Sequence, residues 1–260
     1  MVLQETLTNQ YPSLKDRTVF ITGGGSGIGA AFVEAFVDQG SRVAFVDILE
    51  DESRALVERV NAKSSAGEAH FYPCNLINID DLKAVVEQVG HDLGPISVLI
   101  NNAASDTRHD FRDVTPEYWD ERININLRPQ FFAAQAVYPQ MKALGGGSII
   151  NLGSMSWHES QGNMPGYTSA KSAVLGLTRG LARDMGADKI RVNTLTPGWV
   201  MTERQLSLWV TEETKQDIAK NQCLSAPLEP HSIAAMALFL ASDDSGMCTA
   251  QDFIVDAGWV

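Results

Sequence analysis

The amino-acid sequence predicts an α/β chain built on one parallel sheet of about seven strands, doubly wound with helices on both faces. Three observations predict it. Short β-branched and aromatic runs recur without polar alternation, as strands covered on both faces require. Helical patterns of roughly 10–15 residues lie between them, the order of successive βαβ units. A glycine-rich turn at 22–29 joins the first strand to the first helix. With 260 residues and roughly 150 residues per domain as a prior, the chain is read as a single domain over 1–260. Residues 1–13 are read as an N-terminal arm.

The strand runs are 19–21, 43–46, 98–100, 148–152, 190–195 and 252–255, with a weaker one near 70–72. The first helix is expected over 30–39, between the glycine turn and Gly40. The second covers 53–62, with Ser53 as its cap. The third, 80–93, places Leu82, Val85, Val86 and Val89 on one face and stops at Gly94-Pro95. Gly145-Gly146-Gly147 reads as the loop into a strand, because an apolar run follows at once.

Composition narrows the function classes. Lysine and arginine number 20 against 32 acidic residues, a net charge of −12. Nucleic acid and anionic membrane surfaces both require basic patches, so neither is an expected partner. Apolar residues make up 44%, ample for a core, which excludes a disordered chain. Cys74, Cys223 and Cys248 are far apart and form no CxxC, so neither a disulfide framework nor a metal site is expected, and a cytoplasmic location fits. The opening MVLQETLTNQYPS lacks the basic and apolar regions of a secretory signal, and the nearly apolar stretch 233–241 is too short to span a bilayer.

The turn Thr22-Gly23-Gly24-Gly25-Ser26-Gly27-Ile28-Gly29 has strand before it and helix after it. Glycines there let the backbone approach a pyrophosphate, and the helix N-terminus presents free N–H groups to it. This is the dinucleotide site of a Rossmann-type sheet. Asp47 closes the second strand, where a carboxylate meets the adenosine ribose hydroxyls. Two unit charges 4 Å apart at an effective dielectric constant of 20 repel by about 4 kcal/mol before further solvent screening, so a 2′-phosphate is disfavoured. NAD is therefore expected over NADP.

A tyrosine followed four residues later by a lysine puts both side chains on one helix face. An ammonium beside a phenol offsets the cost of ionising it near neutrality, which makes the pair a candidate base for an alcohol proton. Three pairs satisfy the spacing: Tyr11/Lys15, Tyr138/Lys142 and Tyr167/Lys171. Tyr11 adjoins Pro12 in the arm, and Tyr138 adjoins Pro139 on a surface helix end. Tyr167 follows a strand and a polar loop, and only Thr168, Ser169 and Ala170 separate it from Lys171. Ser154, at the carboxyl end of strand 148–152, is placed to hold the reacting oxygen, with Ser156 as its competitor.

Taken together, TGGGSGIG at 22–29, Asp47, NNAA at 101–104, ININ at 123–126, GS at 153–154, YTSAK at 167–171 and PG at 197–198 resemble the short-chain dehydrogenase/reductases from about Leu14 to Val260. The resemblance implies Tyr167 as catalytic acid/base. Lys171 lowers its pKa and binds the nicotinamide ribose, Ser154 orients the substrate oxygen, and Asn126, rather than Asn124, holds a relay water. It implies cofactor contacts from Gly23, Gly25, Ser26, Gly27, Ile28 and Gly29. Further contacts come from Asp47, Ile48, Asn75, Leu76, Asn102 and Ala103, and from Pro197, Gly198, Val200 and Thr202. A homotetramer is also implied. Two departures are NNAA in place of NNAG, and Asn75 where an aspartate is usual.

The loop SMSWHESQGNMPG at 154–166, the segment PGWVMTERQ at 197–205 and the C-terminal tail are similar to bacterial aldose 1-dehydrogenases. A sugar site needs hydrogen-bonding side chains and an aromatic platform. Ser154, Ser156, His158, Glu159, Gln161 and Asn163 are candidate polar contacts, and Trp157 and Trp199 candidate platforms. The expected reaction is NAD-dependent oxidation of an aldose at C1 to its lactone, without a metal. The alternatives are a polyol or secondary-alcohol dehydrogenase, a 3-oxoacyl-type reductase, and, remotely, an inactive NAD-binding regulator.

Overall fold

The computed structural model describes residues 9–63 and 66–260; the first eight residues of the expected arm lie outside them. The seven expected strands form one parallel sheet: β1 (Thr18–Thr22), β2 (Arg42–Asp47), β3 (Glu68–Pro73), β4 (Ile96–Asn101), β5 (Gly147–Leu152), β6 (Ile190–Pro197) and β7 (Asp252–Val255). Their spatial order is β3-β2-β1-β4-β5-β6-β7. The winding direction therefore reverses beside β1, where Thr22 pairs with Asn101 of β4. A crevice opens outside the carboxyl ends of the strands at such a reversal.

The lack of polar alternation is explained by burial on both sides. Val19 and Ile21 point into one apolar cluster with Phe32, Phe36, Ile233 and Leu238. Phe20 points into the other, with Leu82, Val86, Val137 and Met141. The first cluster is covered by α1 (Gly27–Asp38) and α9 (Pro230–Ala241). The second is covered by α3 (Ile79–Asp92) and α5 (Arg128–Leu144).

Three helix starts differ from expectation. α1 begins at Gly27 rather than Ala30, so the last glycines of the turn fall within its opening residues. α2 (Glu50–Lys63) begins three residues before Ser53, so Ser53 is not a cap; it is fully buried, with its hydroxyl facing Gly25. α3 takes Asn78 as its cap, whose side chain accepts from Asp80 N and Asp81 N. Tyr11 is not a loose arm residue: its N–H donates to Gln39 Oε1 at 2.7 Å, and Leu14 just after it is fully buried.

The other α-helices among the described residues are α4 (Pro116–Asn126), α6 (Pro165–Met185), α7 (Glu203–Leu208) and α8 (Glu212–Asn221). α4 and α5 are separated by Leu127 alone, which leaves the helical region and ends α4 at Asn126. α7 and α8 are capped by the hydroxyls of Thr202 and Thr211. Among the described residues no helix is long and apolar enough to cross a membrane.

Candidate active site

The glycine turn is shaped by contacts that leave no room for side chains. Gly23 and Gly27 hold positive φ values of 67° and 55°. A Cβ on Gly29 would overlap the carbonyl oxygen of Gly23, and one on Gly24 would come within 2.6 Å of Phe45. Asn102 clamps the turn: its Nδ2 donates to Thr22 O at 3.0 Å and to Gly23 O at 2.8 Å. Ala103 lies against Gly23 and donates its N–H to Thr22 Oγ1 at 3.1 Å. The first turn of α1 carries no acidic residue, and Ser26 makes no side-chain cap bond. An uncapped helix start behind a bare glycine cradle fits a pyrophosphate.

At the other end of the crevice, the Asp47 carboxylate accepts from Gly25 N at 2.8 Å, Ile48 N at 2.7 Å and Leu49 N at 3.0 Å. Asp47, Ile48, Glu50, Cys74, Asn75 and Asp81 line a shared pocket. Asn75 already spends an Oδ1 lone pair on Ile77 N. Leu76 packs against the core instead of lining that pocket.

Between the ends of β5 and β6 lies a second cleft, about 180 Å³ in volume. Ile28, Asn102, Ser154, Ser156, Glu159, Gln161, Tyr167, Lys171, Pro197, Gly198, Trp199, Val200 and Thr202 line it, all of them anticipated from the sequence. Tyr167 and Lys171 come from the first two turns of α6, and Ser154 from the end of β5. Ser154 Oγ donates to Ser156 Oγ at 3.0 Å. Lys171 is buried, its Nζ donates to Leu152 O at 2.8 Å, and it lies 5.8 Å from the centre of the Tyr167 ring.

Burial pushes the Tyr167 phenol up to about 12, and its hydrogen bond with Ser154 pulls it back. Burial also brings the Lys171 ammonium down to about 7. In the protein alone, desolvation thus outweighs the mutual stabilisation expected for the pair. The competing pair is in closer contact but lies elsewhere. Lys142 Nζ is 3.3 Å from Tyr138 Oη, and both groups are spent on Asp188, remote from either pocket.

Asn126 does not line the cleft. Its amide is occupied by Ser105 N at 2.8 Å, Ser105 O at 3.2 Å and Arg122 O at 3.0 Å. The side chain therefore fixes the segment that follows β4, leaving no direct contact with Lys171.

Three expected substrate contacts are not brought to the cleft. Trp157 stacks on His158, ring centres 3.6 Å apart, and neither lines it. Asn163 is exposed at φ 61°, and its carbonyl accepts from His109 N at 2.6 Å. The lining residues not predicted as contacts are Ala104, Asp106, Arg108, Leu152, Gly153, Met155, Met164 and Gln205. Asp106 holds Arg204 at 3.2 Å and Gln205 Nε2 at 2.8 Å, and so ties the post-β4 segment to α7. Arg108 packs over the Trp209 ring, 5.0 Å from its centre, and donates to Met164 Sδ at 2.8 Å. No motif within 105–110 marked this part of the wall in the sequence.

Glu159 is the most perturbed carboxyl of the cleft. Burial raises it to about 7, the Asp256 charge adds to the rise, and Arg108 opposes it. A carboxyl raised in the fold contributes stability below its unfolded value that is lost as pH rises through its folded value. Glu159→Gln is accordingly expected to match the wild type in melting temperature at pH 4 and to exceed it at pH 8. The gain is worth about 1–2 kcal/mol after discounting for solvent screening of a half-exposed group. Thermal unfolding at the two pH values checks this; a variant less stable at pH 8 contradicts it.

The comparisons agree with this geometry. Residues 23–260 match a family model described as enoyl-(acyl carrier protein) reductase. The chain is 47% identical over 249 residues to a D-xylose 1-dehydrogenase of Caulobacter vibrioides, covering 96% of this chain and 98% of that one. It is 47% identical over 252 residues, with the same coverages, to a probable galactose dehydrogenase of Rhizobium meliloti. Among solved structures, a 7α-hydroxysteroid dehydrogenase complexed with NADH superposes with a TM-score of 0.90 at 29% identity, over 97% of this chain and 98% of that one. The glycine cradle, the Ser154, Tyr167 and Lys171 cleft and these matches agree: the chain belongs to the short-chain dehydrogenase/reductase family and is an oxidoreductase that uses a nicotinamide cofactor.

Proposed function

We propose that this protein oxidises the C1 hydroxyl of a cyclic aldose to the aldonolactone, with NAD as its cofactor. The observation that carries the reading is one cleft that joins Ser154, Tyr167 and Lys171 to a wall of polar side chains and an indole, Glu159, Gln161, Arg108 and Trp199. A lipid or steroid would favour an apolar wall. The 47% identity to two sugar dehydrogenases supports the same substrate class.

The nicotinamide cofactor supplies the hydride acceptor when bound. The chain's own residues do the rest. Ser154 holds the sugar's C1 hydroxyl by a hydrogen bond, and Tyr167 Oη removes its proton. Lys171, fixed on Leu152 O, places a cation one helical turn from the phenol. It stabilises the phenolate once the buried ammonium is charged. Asn126 acts through Ser105, fixing the segment that carries Ala104, Asp106 and Arg108 along the cleft. The glycine cradle and the start of α1 would hold the pyrophosphate, and the pocket of Asp47, Ile48 and Asn75 the adenosine.

The test is incubation of purified protein with NAD and a panel of aldoses, polyols and secondary alcohols, followed by NADH formation and lactone detection. Turnover of aldoses is expected. Turnover of polyols alone would transfer the protein to another branch of its family.

NAD selection follows from charge. Asp47, Glu50 and Asp81 line the adenosine pocket without a lysine or arginine among its lining residues. Asp47 is held rigidly by three backbone N–H groups. The ratio of kcat/KM for NAD over NADP is expected to exceed about 10²-fold and to fall at least tenfold in Asp47→Ser, in keeping with the charge repulsion estimated for one carboxylate. Equal use of both cofactors by the wild type would contradict it.

The expected homotetramer is supported by apolar side chains left exposed, Phe131 on α5, Ile254 on the edge strand β7 and Met247. Size-exclusion chromatography with light scattering measures it. All three cysteines are unpaired, in keeping with a cytoplasmic, reducing setting.

A further inference from the structure

Two polar atoms in the wall of the cleft are buried without any hydrogen-bond partner: Glu159 Oε1 and Trp199 Nε1. One accepts and the other, an indole N–H, only donates. Folded proteins seldom leave such atoms unmatched, because each costs desolvation with no return. Eight other buried side-chain atoms among the described residues are also unmatched, His158 Nε2 and Trp209 Nε1 among them, but none belongs to a residue that lines the cleft. Arg108 lines it but is already engaged by Met164 and Trp209.

Glu159 stands on the loop after β5, and Trp199 follows Gly198 at the end of β6. The two therefore reach the same cleft from separate strands. A hydroxyl is the group that satisfies both, since it donates one proton and accepts on its lone pairs. We propose that Glu159 and Trp199 form a specificity pair that reads one non-reacting hydroxyl of the sugar, which donates to the carboxylate and accepts from the indole N–H. This rests on the aldose reading above. Ser154 and Tyr167 take the C1 hydroxyl, so the pair reads a different ring position. Burial, and after it the Asp256 charge, hold the Glu159 carboxyl up at a cost to the fold, as is frequent for groups in ligand clefts.

The experiment compares the wild type, Glu159→Gln and Trp199→Phe. Substrates are the aldose with the highest kcat/KM and its monodeoxy derivatives, one for each hydroxyl other than that at C1. The wild type is expected to lose about 10²-fold or more in kcat/KM on one particular deoxy sugar, because a site built around a hydroxyl rejects the analogue that lacks it. Each variant is expected to lose activity on the parent sugar but little more on that same deoxy sugar. The proposal is overturned if each variant loses one constant factor across all the sugars, or loses nothing on the parent. Wild-type protein that turns over no aldose would remove the substrate reading and the pair together, a result distinct from either of those. Melting curves of both variants separate loss of fold from loss of recognition.

Discussion

Tyr167→Phe is expected to lower kcat by about 10²–10⁴-fold, the range a positioned acid/base supplies, while melting temperature and NADH binding stay at wild-type values. The substitution removes one oxygen whose ionisation the fold already opposes, with the phenol raised to about 12. No packing is lost with it. The control is Tyr138→Phe, which removes the hydroxyl that Tyr138, beside Lys142 on α5, donates to Asp188 in the turn after α6, and should leave kcat unchanged. Steady-state kinetics on both variants decide between the two tyrosine–lysine pairs. Retained turnover in Tyr167→Phe would refute the assignment of the base.

Gly29→Ala is expected to be the most damaging conservative change in the cofactor loop. The added Cβ would overlap the Gly23 carbonyl and approach Asn102 Nδ2 to 2.8 Å, so the clamp that Asn102 places on the turn has to open. Overpacking of this kind costs about 1–3 kcal/mol or more, a fall of several degrees in melting temperature for a chain of this size. NADH affinity, measured by fluorescence titration, should fall at least tenfold. Gly176→Ala is the matched control: Gly176 is an exposed helix-interior residue with nothing within 4 Å of the new methyl, and alanine there should stabilise α6 by about 0.5–1 kcal/mol. A Gly29→Ala protein with normal melting and normal NADH binding would show that the turn is not under this constraint.

The strands were legible because burial on both sheet faces leaves unbroken apolar runs, as in Val19, Phe20 and Ile21, and the weak run near 70–72 proved to be the edge strand β3. The residues of the glycine turn and the YTSAK segment were legible because chemistry and backbone geometry both restrict them. α7 and α8 were not, since six and ten residues capped by threonines carry little periodicity. In the loop after β5, proximity along the chain was a poor guide to direction. Glu159 faces the cleft, whereas its neighbour His158 turns back to stack on Trp157. Arg108 and Asp106 reach the cleft from a segment with no motif of its own. Their position depends on Asn126 and Ser105, some twenty residues apart, being hydrogen-bonded.

The Asp106 to Arg204 and Gln205 connection joins that segment to a short helix by charges that remain partly in water, with the Arg204 side chain 55% exposed. Such a clasp is sensitive to ionic strength, because mobile ions screen charges over about 10 Å at 0.1 M salt. The rim of the cleft is thus fastened by a contact that the medium can loosen, while its floor, with Lys171 on Leu152 O, is buried from that influence. Added electrolyte would therefore act on sugar entry and release before it acts on the chemical step.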